Sequence, residues 1–120
     1  MDGKFVLCLD LFSMKKIRIF ENKNKAFEQI EDKKARRVVI GDYKICLARD
    51  GNNLFAVNDS CPHSAASLSK GIVNFRGEIV CPLHSYCYDL KTGREFQQKT
   101  ADVRTWQLIE EETGIYIILA

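Results

Sequence analysis

From Lys16 to Leu119 the chain is a series of short runs in which β-branched and aromatic residues alternate with polar ones. The runs read KIRIF, RRVVI, YKICLAR, LFAVND, GIVNF, EIVCP, YDL, VRTWQLIE and GIYIIL, and each has the length and two-residue period of a half-buried strand. Turn-forming groups separate them every eight to twelve residues: Gly41-Asp42, Asp50-Gly51-Asn52-Asn53, Arg76-Gly77, Lys91-Thr92-Gly93 and Thr113-Gly114. Strands this short, with turns this regular, predict antiparallel pairing. One segment breaks the period: in NKAFEQIEDKK, Ala26, Phe27 and Ile30 share one helical face, which predicts a single short helix.

No repeat, low-complexity run or linker interrupts the series, so the pattern predicts an all-β fold, a small antiparallel sandwich or barrel. Cys61 to Asp89 forms an excursion from it. Asp59-Ser60-Cys61-Pro62 ends one strand, Ile72 to Val80 makes a hairpin about Arg76-Gly77, and Cys81-Pro82 opens a second loop. Two loops joined by a hairpin are thereby brought face to face.

Length and charge narrow the function classes. At 120 residues and 13.8 kDa the chain is one domain's worth of sequence. A formal charge of +2 is too small for a nucleic-acid binder, and Lys33, Lys34, Arg36 and Arg37 read as a solvated face. Near the start, the apolar patch from Phe5 to Phe12 is interrupted by Asp10 and is far shorter than the roughly 20 residues of a membrane span. It also lacks the basic leader and small-residue cleavage site of a secretory signal, so a cytoplasmic protein without a membrane or nucleic-acid partner is expected. Residues 1–13 read as an N-terminal extension or an edge strand, and residues 14–120 as a single domain.

The candidate chemistry lies in the excursion. The chain has two histidines and two prolines, and all four fall between Cys61 and His84. They stand in two boxes, Cys61-Pro62-His63 and Cys81-Pro82-Leu83-His84, with 17 residues between. Five cysteines, an odd number, without an export signal argue for thiols or metal ligands over a disulfide framework. Thiolate with imidazole suits zinc or iron–sulfur chemistry. A one-residue gap in the first box makes it hard for one loop to place both ligands on a single tetrahedral ion, a difficulty that two bridged irons remove. Cys8, Cys46 and Cys87 have no partner at ligand spacing, and Cys46 reads as a small buried hydrophobe in an apolar strand. Trp106 reads as core.

These boxes resemble those of the Rieske [2Fe–2S] family, C-x-H and C-x-x-H, in which histidines replace two cysteines on one iron. The resemblance implies one [2Fe–2S] cluster, with Cys61 and Cys81 on the inner iron and His63 and His84 on the outer one, in a cluster-binding region of about residues 59–90. Leu68, Tyr88-Asp89 and Lys91-Thr92-Gly93 also follow the family's habit after each box. Two positions depart from it: the family usually has glycine two residues after the first histidine and directly after the second, where this chain has Ala65 and Ser85. Either would be strained if its backbone needs a positive φ.

High-potential members carry an extra cysteine in each loop, at the places of Ala66 and Leu83, so no loop disulfide can form here. A hydroxyl those members place two residues after the second histidine is replaced by Tyr86, while Tyr88 occupies a tyrosine position that can donate to a ligand sulfur. Few donors to sulfur imply a potential towards the lower part of the class range. Ala65, Ala66 and Leu83, flanking the histidines, suggest a small apolar docking surface. The resemblance implies a soluble ferredoxin, a one-electron carrier between a flavoprotein reductase and a terminal oxygenase or similar enzyme, with no catalytic residues of its own. The alternatives are an accessory small subunit of a nitrite-reductase-like enzyme and a zinc-binding interaction module.

Overall fold

The computed structural model describes residues 14–119. The segment 1–13, for which the sequence suggests an extension or edge strand, lies outside the described residues. Six strands form one curled antiparallel sheet: β1 (Lys15–Phe20), β2 (Ala35–Ile40), β3 (Tyr43–Asp50), β4 (Asn53–Asn58), β8 (Thr105–Glu111) and β9 (Gly114–Leu119), in the order β1-β9-β8-β4-β3-β2. The remaining three, β5 (Ile72–Val73), β6 (Glu78–Val80) and β7 (Cys87–Asp89), form a small second sheet in chain order. The large sheet curls where β4 and β8 pair through only Ala56↔Trp106 and Val57↔Thr105. The result is a half-barrel with the small sheet mounted on it, the all-β fold that the strand pattern predicts.

Strand β3 divides the interior. Its run Ile45-Cys46-Leu47-Ala48 is buried throughout, because the two faces of the strand serve two cores. Ile45 and Leu47 face the half-barrel interior with Phe20, Ile30, Trp106 and Ile117. Cys46 and Ala48 face the small sheet with Val57, Leu68, Val73, Ile79 and Tyr88. Cys46 is therefore a core residue, and burial followed by the nearby Asp59 charge pushes its thiol far up, leaving it protonated and inert. Trp106 is likewise core.

The helix α1 (Lys23–Gln29), about two turns long, is the single short helix that the apolar spacing predicts, ending just short of Ile30. It begins at Asn22, whose side chain accepts from the Lys25 N–H at 2.8 Å, and ends at Ile30, which returns to extended backbone so that Arg49 can donate to its carbonyl at 3.0 Å. The predicted strand GIVNF is cut short. The Asn74 side chain accepts from the Arg76 and Glu78 N–H groups, so the chain turns after Val73 and Phe75 points to solvent. Among the described residues no helix is long and apolar enough to cross a membrane.

The small sheet rests on one close contact. Gly71 enters β5 with its Cα so near β6 that an added Cβ would lie 1.8 Å from the Val80 carbonyl oxygen. Its φ of −88° is open to any residue, so the requirement is for space alone. Gly71→Ala must therefore push the two strands apart, and overpacking of this kind costs about 1–3 kcal/mol. We expect a loss at the upper end of that range in denaturant unfolding.

Candidate metal centre

Each box folds into the same loop. The Cys61 N–H donates to the Ala66 carbonyl at 2.9 Å, and the Cys81 N–H donates to the Tyr86 carbonyl at 2.8 Å, so both loops close on the fifth residue after their cysteine. In both, the residue before the closing carbonyl takes positive φ: Ala65 at 60° and Ser85 at 57°, with His84 also at 71°. These are the two positions where the resemblance leads one to expect glycine. The left-handed conformation is needed, and the chain adopts it with L side chains.

The loops bring the two cysteines together below and the two histidines together above. Cys61 and Cys81 are buried, at 2% and 0% exposure, while His63 and His84 are exposed with ring centroids 5.2 Å apart. Tyr86 stacks on His63 at 4.0 Å with the planes 12° apart, holding that imidazole in place. Among the described residues no three His, Cys, Asp or Glu side chains gather so as to hold one ion. Two buried thiols and two exposed imidazoles supply sulfur and nitrogen donors of the kinds that zinc and iron–sulfur groups take.

Hydroxyls meet both sulfurs. Tyr88, fully buried on β7, has its OH 3.2 Å from Cys61 Sγ. Ser64 Oγ lies 3.7 Å from Cys81 Sγ across the gap between the loops. Burial pushes both thiols up. At Cys61, hydrogen bonds from Tyr88 and from the His63 and Ser64 N–H groups outweigh burial and hold the thiol below its ordinary value. Cys81 stays raised, by burial first, with the neighbouring Cys61 adding to it. Burial also pushes the Tyr88 phenol far up, and its hydrogen bond to Cys61 adds to this, so the phenol keeps its proton and donates it.

Buried carboxylates brace the base of the site. Asp59 accepts from the Ser67 hydroxyl and, at 2.8 Å, from the Ser69 N–H, tying the end of β4 to the first loop's return. Glu78 accepts from Arg76 Nε and Asn74 Nδ2, each at 2.9 Å, and fixes the hairpin turn. Glu95 organises the segment that crosses behind the second loop, accepting from the Gln97 and Lys99 N–H groups. None of these three acids, nor Ser64, stands out in the sequence. Each acts through a local turn or a cross-loop contact that no residue spacing announces.

The docking residues expected beside the histidines are only partly at the surface. Leu83, at 47% exposure, and Ala65 are exposed. Ala66 is half-buried and packs against the core under the loops, because its carbonyl must turn inward to close the first loop. The larger exposed apolar groups nearby are Phe75 and Phe96, with the Arg76 guanidinium 5.1 Å and 4.3 Å from their ring centroids. A cleft of about 380 Å³ lined by Arg76, His84, Tyr86, Phe96 and Lys99 separates them from the histidines.

A half-barrel bearing a small sheet whose two loops present paired thiols beneath paired imidazoles defines a class: small β proteins with sulfur and nitrogen donors grouped at one end. The sequence matches the Rieske [2Fe-2S] domain over residues 22–107. It is 31% identical over 96 residues to the 3-phenylpropionate/cinnamic acid dioxygenase ferredoxin subunit of Photorhabdus laumondii, covering 78% of this chain and 89% of that protein. It is 35% identical over 66 residues to human apoptosis-inducing factor 3, of whose length the chain spans only 11%. The fold is similar to that of the ferredoxin of carbazole 1,9a-dioxygenase from Nocardioides aromaticivorans IC177, with a TM-score of 0.72 at 23% identity over 86% of this chain and 96% of that one. The chain belongs to the Rieske [2Fe-2S] domain family, and the family's cofactor is a [2Fe–2S] cluster, not a lone zinc ion.

Two expectations follow from this geometry. A left-handed non-glycine residue costs about 1–2 kcal/mol, against roughly 0.5–1 kcal/mol of extra entropy lost by glycine. Ala65→Gly and Ser85→Gly should therefore be neutral to stabilising in thermal melts, whereas Ala65→Val, β-branched at positive φ, should shorten the half-life of the visible absorbance.

The second concerns Glu95. Burial raises its carboxyl, but the N–H groups of Gln97, Lys99 and Thr100 and the Lys99 charge outweigh that and hold it below the usual carboxylate range. A carboxyl depressed on folding stabilises the protein above its unfolded value, about 4.3, and that contribution is lost as pH falls through the folded value. Glu95→Gln should be less stable near neutrality and should lose less of its remaining stability between about pH 5 and 3, measured by urea unfolding at each pH.

Proposed function

We propose that this protein is a Rieske-type ferredoxin, a one-electron carrier with no turnover of its own, in which Cys61 and Cys81 bind one iron and His63 and His84 the other. The observation that carries this reading is the sorting of the four side chains: sulfurs buried against the core, imidazoles open to solvent. When bound, the cluster supplies storage for one electron at a time. The chain's own residues do the rest. The buried cysteines and the core beneath them keep water from one side of the site, and Tyr88 donates to the Cys61 sulfur and sets its electron density. The exposed histidines give the short path to a partner, and the Tyr86 stack holds His63 rigid, which keeps reorganisation small.

Residues 14–120 form the carrier domain in this reading, with the cluster region at about 59–90. The partners are a flavoprotein reductase and a terminal oxygenase or similar enzyme, in keeping with the chain's similarity to the ferredoxin subunit of a dioxygenase, and the location is the cytoplasm. Docking uses Leu83 and Ala65 beside the histidines, extended across the cleft to Phe96, Phe75 and Arg76, since exposed aromatics and arginine are what interfaces bury with most effect. The intact quartet of Cys61, His63, Cys81 and His84 counts against the alternative, an accessory small subunit of a nitrite-reductase-like enzyme.

Protein made with ample iron should be red-brown and yield two irons and two acid-labile sulfides per chain; stoichiometric zinc in that preparation would sink the proposal. Where a cluster still assembles, His84→Cys should lower the potential sharply, because a thiolate adds negative charge that neutral imidazole does not. A potential unchanged by that substitution would remove His84 from the ligand set.

A further inference from the structure

Two sulfurs in one site, each facing a hydroxyl from a different part of the chain, raise the question of what the second hydroxyl does. We propose that Ser64 is a potential-setting residue, acting through the Cys81 sulfur as Tyr88 acts through the Cys61 sulfur; this rests on the ligation reading above.

The geometry fixes the direction of the contact. Ser64 Oγ stands 3.7 Å from Cys81 Sγ and also accepts the Ala66 N–H at 3.4 Å. One lone pair is thus engaged within its own loop, and the hydroxyl proton is left to point across the gap. A cysteine bound to metal is a thiolate and has no proton to give, so the only hydrogen bond this pair can make is O–H to sulfur. The loop backbone holds Ser64 in that position. Its own N–H and that of Ala65 both donate to the Cys61 carbonyl, at 3.3 and 2.7 Å, and the left-handed Ala65 turns the chain so that Ser64 faces the second loop. Half-burial limits competition from water.

The consequence is electronic. A donor to a ligand sulfur draws charge from the metal and favours the reduced state, so each such bond raises the potential. Ser64 belongs to the first loop and serves the cysteine of the second, so the contact also couples the two loops. The donor set is therefore richer than Tyr88 alone suggests.

The test is voltammetry of the holoprotein, with visible absorbance and circular dichroism reporting whether the cluster is intact. Ser64→Ala should shift the potential negative, with the same sign as Tyr88→Phe and a comparable size, and the double variant should shift further than either. Ser64→Thr, which keeps the hydroxyl, should stay near the parent. An unchanged potential in Ser64→Ala with an intact spectrum overturns the role of Ser64 and leaves the ligation reading standing. A Cys81→Ala variant that assembles an unaltered cluster overturns the ligation reading itself. Should Ser64→Ala not assemble, Ser64→Gly carries the same expectation. Failure of both to hold the cluster while Ser64→Thr holds it would make Ser64 a structural post and end the tuning proposal.

Discussion

The site depends on a very short piece of β pairing. Two residue pairs, Ile72↔Val80 and Val73↔Ile79, close the hairpin that joins the two box-bearing loops. Such pairing is marginal in isolation, so its stability comes from the rest of the fold. Val73 and Ile79 are buried in the core shared with β3, Glu78 pins the turn through Asn74 and Arg76, and the Val73 N–H donates to the Lys33 carbonyl of the half-barrel. The half-barrel is, in this sense, a clamp for a hairpin. Its strand β3 is buried on both sides because one face completes the barrel interior and the other supports the site.

Strand positions and the four box residues are legible in the sequence because each rests on a strong local rule. Alternation gives GIYIIL the same bounds in the sequence and in the fold, and Gly41, Gly51 and Gly77 mark turns that require positive φ. The boxes are legible because cysteine, histidine and proline are scarce enough for their coincidence to carry information. What is not legible follows from side chains acting across loops. Asn74 looks like a strand residue and is a turn-former because it accepts two N–H groups. Ala66 looks like a surface residue and is half-buried because its carbonyl closes a loop. Ser64 is an ordinary loop hydroxyl until the second loop is folded against the first.

The loops also show how strain and function share a location. Ala65, His84 and Ser85 all adopt the left-handed conformation, in the two segments that hold the candidate ligands. Non-glycine residues there cost on the order of 1–3 kcal/mol each and persist only where the surroundings impose them. What imposes them here is the pair of five-residue closures, Cys61 to Ala66 and Cys81 to Tyr86, which turn the histidines outward while the cysteines stay under the loops. A loop relaxed into ordinary backbone could not keep both orientations. The strain is the cost of separating sulfur from imidazole across so few residues.

That separation explains why the electrostatics of the site are asymmetric. On the buried side, desolvation raises every thiol and phenol, and only directed hydrogen bonds work against it: Tyr88 and backbone N–H groups suffice at Cys61, while Cys81 remains the less stabilised of the two. On the exposed side, water screens whatever charge appears. On the proposed ligation, electron density added to the site would be regulated from beneath, by a few hydroxyls and amides in a low-dielectric setting, leaving the surface above for a partner. In the proposed reading the two roles fall on different residues, Tyr88 and Ser64 below and Leu83, Phe75, Phe96 and Arg76 above, so a change of partner surface need not disturb the potential.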